Sequence, residues 1–257
     1  MADKQATTQR DGFKSKWGFI LACIGSAVGM GNIWRFPIMV SLWGGMTFLI
    51  PYFICVILIG STGVIGEFAL GRATGAGPIG AFGKCTELRG SKKIGEAIGF
   101  IPVLGSMALA IGYTVVMGWI FKYTAIAITG DMHAMGQDMA AIGGHFDIVA
   151  ISNLPWIIVA IVASFAIMAM GVSGGIEKAN KVMMPVLFFL FVGLGIYIAF
   201  LPGASAGYKY IFTLDPKGLA NPMVWIFAFG QAFFSLSVAG NGSVIYGSYL
   251  PKNCLLY

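Results

Sequence analysis

A chain of 257 residues is long enough to bury a sizeable core, yet 58% of it is hydrophobic and only 10% is charged, where soluble domains carry about 25% charged residues. That balance excludes an ordinary soluble enzyme. The net charge of +6 does not indicate nucleic acid either, because the basic residues sit in short links between apolar runs and form no interleaved basic–aromatic surface.

The apolar runs are too long and too numerous for the core helices of a soluble domain, and are read as membrane spans. Residues 1–16 are polar and basic, with Lys4, Arg10, Lys14 and Lys16, and form a cytoplasmic segment. The first span is expected over residues 17–42, interrupted by GSAVGMGN (25–32) and running into WRFP (34–37). It shows no small-residue cleavage site, so no cleaved signal peptide is expected. The second span, 46–70, carries Pro51 and, near its end, Glu67. A basic link with Arg72, Lys84, Arg89, Lys92 and Lys93 precedes the third span, 99–128. The link over 129–153 holds Asp131, Asp138 and Asp147 but no lysine or arginine. Its His133 and His145 have no ligand spacing or base partner and are read as loop histidines. The fourth span (154–170), the short link GVSGGIEKANK (171–181) and the fifth span (182–201) follow. The sixth, 219–250, is interrupted near SVAGNGS (237–243).

Lysine and arginine set the orientation. The basic links alternate with acidic or weakly charged ones, so the positive-inside rule puts the N-terminus and the end of this chain in the cytoplasm. The four cysteines lie far apart, with no CxxC or Cys/His cluster, so neither a zinc site nor a disulfide framework is expected.

The two interruptions are the chemical anomalies. Gly25, Gly29 and Gly31 lie among apolar residues and end at Asn32. Unwound backbone is costly in hydrocarbon unless its polar groups are satisfied, and a broken helix can use them to hold a cation and a carboxylate. Close helix packing through small residues is the plainer reading, and glycine spacing alone leaves both open. The second break shifts the balance. Ser235, Ser237, Gly240, Asn241, Gly242 and Ser243 place hydroxyls, an amide and backbone freedom in the middle of another span.

Seven segments carry a specific resemblance: GSAVGMGNIWRFP (25–37), GGMTFLIPYF (44–53), GEFALGR (66–72), YTVVMGW (113–119), GIEKANKVMMP (175–185), FAFGQAFFSLS (227–237) and YGSYLP (246–251). In order and spacing the chain resembles the neurotransmitter:sodium symporter family, also called the sodium:neurotransmitter symporter family, in its bacterial amino-acid transporter branch. The resemblance implies an all-α polytopic membrane protein. It would be the first half of an inverted-repeat transporter fold with unwound first and sixth helices. Residues 17–201 would form the first five-helix repeat. Residues 202–257 would add an outer loop and the opening helix of a truncated second repeat.

The implied function is sodium-coupled symport of an amino acid into the cell, in a bacterial inner membrane, and not an enzyme activity. By the same resemblance, one Na+ would use the Ala27 carbonyl, the Asn32 side chain and the Ser235 hydroxyl. A second would use the carbonyls of Gly25 and Val28. The substrate carboxylate would meet the Met30 and Gly31 amides and the Tyr113 hydroxyl, with Ala27 beside it. The ammonium would meet Phe234, Ser235 and Ser237, while Leu109 and Phe234 line the side-chain pocket. Gly29 stands where relatives for decarboxylated amines carry aspartate, which favours a substrate that brings its own carboxylate. Gly240 stands where many relatives have an aromatic pocket wall. Arg35 would belong to the outer gate and Arg10 to the inner gate, with Phe13 in place of the usual tryptophan neighbour. Glu67 and Gln231 would support the broken helices. Chloride use stays open. Relatives have eleven or twelve spans, so the expectation is a truncated chain, inactive without the missing C-terminal half and compatible with homo-oligomers. The alternative is a non-transporting membrane scaffold or regulatory subunit built from that half.

Overall fold

A computed structural model describes residues 12–136, 138–151 and 153–250. The first helix, α1 (Lys16–Ala27), starts at Ser15. The Ser15 hydroxyl accepts the Gly18 N–H at 3.0 Å, satisfying a donor that a first helical turn leaves unpaired. Beyond a break come α2 (Phe36–Leu42), α3 (Met46–Ile59), α4 (Ile65–Thr74), α5 (Pro78–Glu87) and the long α6 (Lys92–Thr129). Then follow α7 (Asp131–Ala134), α8 (Met139–Ile151), α9 (Leu154–Ala169), α10 (Glu177–Ala199) and α11 (Ala204–Phe212). Last in the described residues are α12 (Pro216–Leu219), α13 (Pro222–Ser235) and α14 (Gly242–Ser248). π-Helical turns at Gly31–Arg35, Gly60–Val64 and Val172–Ile176 lead into α2, α4 and α10.

Three helical rods are long and apolar enough to cross a membrane: Met46–Thr74, Lys92–Thr129 and Val172–Ala199. The segments Lys16–Ala27 and Gly31–Leu42 meet at 57° and together qualify as one broken span, and α8 with α9 makes a second bent pair. By length and composition the described helices therefore supply three crossings, or five with each bent pair taken as one. The helix α13 is apolar but shorter. Along α10, Val186, Phe188, Phe189 and Leu190 are exposed, as are Ile101 and Ile111 on α6. Water would penalise such a surface, whereas lipid is the solvent that accommodates it. The chain is a multi-pass membrane protein.

The helices fall into two compact units, residues 1–103 with 172–257 and residues 104–171. In the first unit α13 packs along α3 and α14 along α4. Phe48 is fully buried with Val40, Val224 and Ala228, and a second cluster joins Cys55, Ile59 and Ala232. The α4–α14 contact depends on glycine. A Cβ on Gly71 would lie 2.0 Å from the Val244 carbonyl oxygen, and one on Gly247 would lie 2.5 Å from that of Phe68. Only hydrogen at both sites allows this backbone approach.

The α1–α10 contact is anchored by Glu177, which is 1% exposed. Its carboxylate accepts the Lys14 N–H at 2.8 Å, the Ser15 hydroxyl at 3.1 Å and the Lys181 ammonium at 2.6 Å. A buried carboxylate needs such partners.

In the second unit, the acidic link is mostly helical, so His133 and His145 are helix residues and the loop reading is corrected. Gly130, at φ +87°, lets the chain leave α6. The Asp138 carboxylate then accepts the Ala140 and Ala141 N–H groups at 2.9 and 3.3 Å and starts α8. His145 lies edge-on to Tyr123, with ring centroids 6.0 Å apart.

Candidate functional site

The first break opens where α1 stops at Ala27. Val28 has φ −80° and ψ +87°, outside the helical region. The Gly29 N–H donates to the Ala27 carbonyl at 3.0 Å, and the Asn32 N–H to the Gly29 carbonyl at 3.0 Å. Helical order resumes after Met30, in the π turn Gly31–Arg35. The second break opens where α13 stops at Ser235. Its backbone turns through Ser237, Ala239 and Asn241, with φ of +52°, +62° and +65°. All three sit in the left-handed region without being glycine, which is costly for residues bearing a Cβ.

Side chains tie the two breaks together. The Asn32 amide Nδ2 donates to the Ala27 carbonyl at 2.8 Å. The Ser235 hydroxyl donates to Asn32 Oδ1 at 2.6 Å, and the Ser237 hydroxyl donates to the Ser26 carbonyl at 3.0 Å. Gln231, fully buried, directs Nε2 to the Gly31 carbonyl and the Ser235 Oγ, each at 3.4 Å. The Phe234 ring lies directly on the Gly31 backbone, where a Cβ would come within 1.8 Å of it. From α4, the Glu67 carboxylate accepts the Ala239 N–H at 2.7 Å. That donor has left its helix, and the acid takes it up.

Ala27, Asn32 and Ser235 are thus brought into one chain of contacts. Their oxygens suit an alkali cation, being hard donors with no fixed charge. The buried Gln231 Oε1, which has no hydrogen-bond partner among the described residues, belongs to the amide that reaches Ser235. Among the described residues, no group of three or more His, Cys, Asp or Glu could hold a metal ion.

Other expected residues lie apart from this chain. Gly25 faces α10, where a Cβ would lie 2.1 Å from Asn180 Oδ1, and Val28 caps the end of α1. Leu109 and Tyr113 lie on α6 in the second unit, four residues apart and therefore on one helix face. Gly240 is exposed beside the second break, and Arg35 is half-buried at the end of the π turn. Arg10 lies outside the described residues. Phe13 packs edge-on to Phe19 and Tyr246, with centroids 5.3 and 5.6 Å away.

Three contacts escape a reading of the sequence: Glu177 with Lys14 and Ser15, Asn180 against Gly25, and Asn241 with α6. The first had a signal, a lone acid flanked by apolar residues and lysines in GIEKANK. For the others no local pattern gives a signal, and all three join residues far apart in the chain.

Comparison with known proteins fits this geometry. The sodium:neurotransmitter symporter family matches residues 10–137 and 132–257. An uncharacterized sodium-dependent transporter of Methanocaldococcus jannaschii is 37% identical over 95% of this chain and 50% of its own length. The sodium-dependent neutral amino acid transporter B(0)AT3 of Mus musculus is 32% identical over 96% of this chain and 44% of its own. The crystal structure of MhsT in complex with L-phenylalanine superposes with a TM-score of 0.82 at 36% identity, covering 95% of this chain and 55% of that one. The chain spans about half the length of the relatives it matches. With both breaks in place and the family matched almost from end to end, this chain belongs to the sodium:neurotransmitter symporter family.

Proposed function

We propose that the chain forms half of a symporter that carries a neutral amino acid into the cell together with Na+, both held where the first and sixth spans break. The observation that carries this reading is the contact chain from the Ala27 carbonyl through Asn32 to the Ser235 hydroxyl. It joins two broken helices, 203 residues apart at the Ser235–Asn32 bond, with neutral oxygens at the point where unwound backbone needs a polar partner. Ala27, Asn32 and Ser235 would hold one co-transported Na+, and the carbonyls of Gly25 and Val28 a second.

The Met30 and Gly31 amides, at the start of the resumed helix, would receive the substrate carboxylate with the Tyr113 hydroxyl. A helix N-terminus favours such an anion. Carbonyls near Phe234, Ser235 and Ser237 would receive the ammonium. Gly29 leaves room for that carboxylate, while Leu109, Phe234 and the missing side chain at Gly240 favour a bulky apolar substrate. Neutral amino acids are what B(0)AT3 is named for, and L-phenylalanine is what MhsT holds. Arg35 would serve the outer gate and Arg10 the inner one. The basic links face the cytoplasm of a bacterial inner membrane, and transport needs the helices that the relatives carry beyond this half.

The test is uptake of labelled phenylalanine and leucine into vesicles that contain this chain assembled with a relative's C-terminal half. Uptake should exceed the potassium control several-fold under an inward Na+ gradient, and should vanish without the second half. Equal uptake in both salts would end the sodium coupling. An assembled protein that takes up no amino acid would end the substrate class.

A further inference from the structure

The second break contains an asparagine that does not act as its position suggests. Asn241 is the N-cap residue of α14, and asparagine is among the best helix N-caps because its side-chain oxygen accepts a first-turn N–H. Here it makes no such side-chain cap. Its backbone is left-handed, at φ +65°, the side chain is 6% exposed, and its amide Nδ2 donates to the Pro102 carbonyl on α6 at 2.9 Å. A buried residue that forgoes the cap to bond a neighbouring helix has been positioned for that bond.

We propose that Asn241 is a positioning residue, a latch that ties the start of α14 to the first turns of α6 and holds the cytoplasmic side of the site closed. The inference rests on the transport reading for its direction: both ends of the tie lie toward the basic links assigned to the cytoplasm. In a transporter whose halves rock about a central site, the inner half of a broken helix cannot swing from α6 until this bond is replaced. Breaking it gives up a hydrogen bond of an amide whose residue is only 6% exposed. The latch therefore biases the empty protein toward the outward-facing form, in which ligand from outside can bind.

Two variants separate latching from capping. Asn241→Asp keeps the left-handed preference and caps a helix well, but has no amide to donate. Asn241→Gly keeps the backbone and removes the side chain. Hydrogen–deuterium exchange of the protein in nanodiscs, without Na+ or amino acid, should show roughly 5- to 10-fold faster exchange in both variants, the span that one net hydrogen bond supports. The change should fall on peptides covering residues 237–248 and also 99–107. Vesicle uptake by the assembled transporter should then show a half-saturating Na+ concentration raised by a similar factor, with the maximal rate retained, because fewer molecules present the outward-facing form.

Asn241→Asp exchanging like the wild type would overturn the latch and leave a capping or backbone role. Faster exchange with unchanged half-saturation would overturn its part in gating. Should Asn241→Gly fail to fold, the aspartate variant decides alone. The exchange arm needs neither sodium nor substrate, so it stands even where the transport reading fails.

Discussion

The two breaks solve the same problem with different chemistry. In the first, glycines allow close approach: Gly31 lets the Phe234 ring rest on the main chain, and Gly25 admits Asn180. In the second, glycine is not where the backbone turns. Ser237, Ala239 and Asn241 take the left-handed conformations, while Gly240 and Gly242 lie between and after them. What stabilises the second break is a set of bonds from outside it: Ser237 to Ser26, Ala239 to Glu67, and Asn241 to Pro102. A broken span can thus be made by omitting side chains or by over-determining the backbone with neighbours. The first kind should be intolerant of added atoms, and the second intolerant of lost partners.

The largest effect should follow from adding an atom to the first break. Gly31→Ala puts a Cβ 1.8 Å from the Phe234 ring, so ring and helix must separate. Overpacking of this kind costs about 3 kcal/mol at a rigid site. Thermal unfolding in detergent should fall accordingly, and vesicle uptake by the chain assembled with a relative's C-terminal half should be lost. Wild-type stability and uptake would show that the ring moves aside freely and that the close approach is incidental.

Removing a partner from the second break comes next. Glu67→Ala takes away the carboxylate acceptor of the Ala239 N–H, a charge-assisted bond worth about 2 kcal/mol, whereas Glu67→Gln retains an acceptor oxygen and should recover most of the loss. Amide exchange over residues 237–241 should rise in the alanine variant and stay near wild type in the glutamine one. If exchange rises equally in both variants, the charge of Glu67 matters rather than its hydrogen bond, and if it rises in neither, the bond does not hold the break.

This difference between the breaks also explains what could be read from the sequence. GSAVGMGN and SLSVAGNGS announce interruptions because glycine and hydroxyl residues are out of place in long apolar runs. Glu67 could be expected to have a purpose, since a carboxylate facing lipid is expensive. That its partner is the Ala239 N–H could not, because that donor becomes free only once Ser237 and Ala239 take positive φ. Spacing says nothing of the Asn32–Ser235 contact, and only the family resemblance suggested it. The acidic link hid α8 because an acid caps it: Asp138 reads as a loop residue until its carboxylate is seen on the Ala140 and Ala141 N–H groups. Glu177 reads as one charge in a polar link, yet burial makes it the anchor of α1.

The contact between the breaks gives the third prediction. Asn32→Ala removes both the bond to the Ala27 carbonyl and the acceptor for Ser235. Loss of one ligand of the proposed cation shell and its support should raise the half-saturating Na+ concentration about 10-fold, close to the value of one charge-assisted bond. Sodium titration of uptake or of substrate binding measures it. An unchanged sodium dependence would remove Asn32 from the proposed shell and leave it as a brace within the first break.

The smallest effect should be a gain. At φ +62°, Ala239 holds a conformation that glycine adopts without penalty. Replacing it should stabilise the folded protein by about 0.5–1 kcal/mol, because the relief of the left-handed strain outweighs the extra freedom of the unfolded chain. Gly240→Ala should do the opposite. Its φ is not positive, and a Cβ there would lie 2.9 Å from the Ser237 carbonyl oxygen. Unfolding midpoints of the two variants should therefore move in opposite directions although they differ only by one residue in where an alanine stands. Movement in the same direction would mean that the second break does not turn at Ala239, and that its glycines act as those of the first break do.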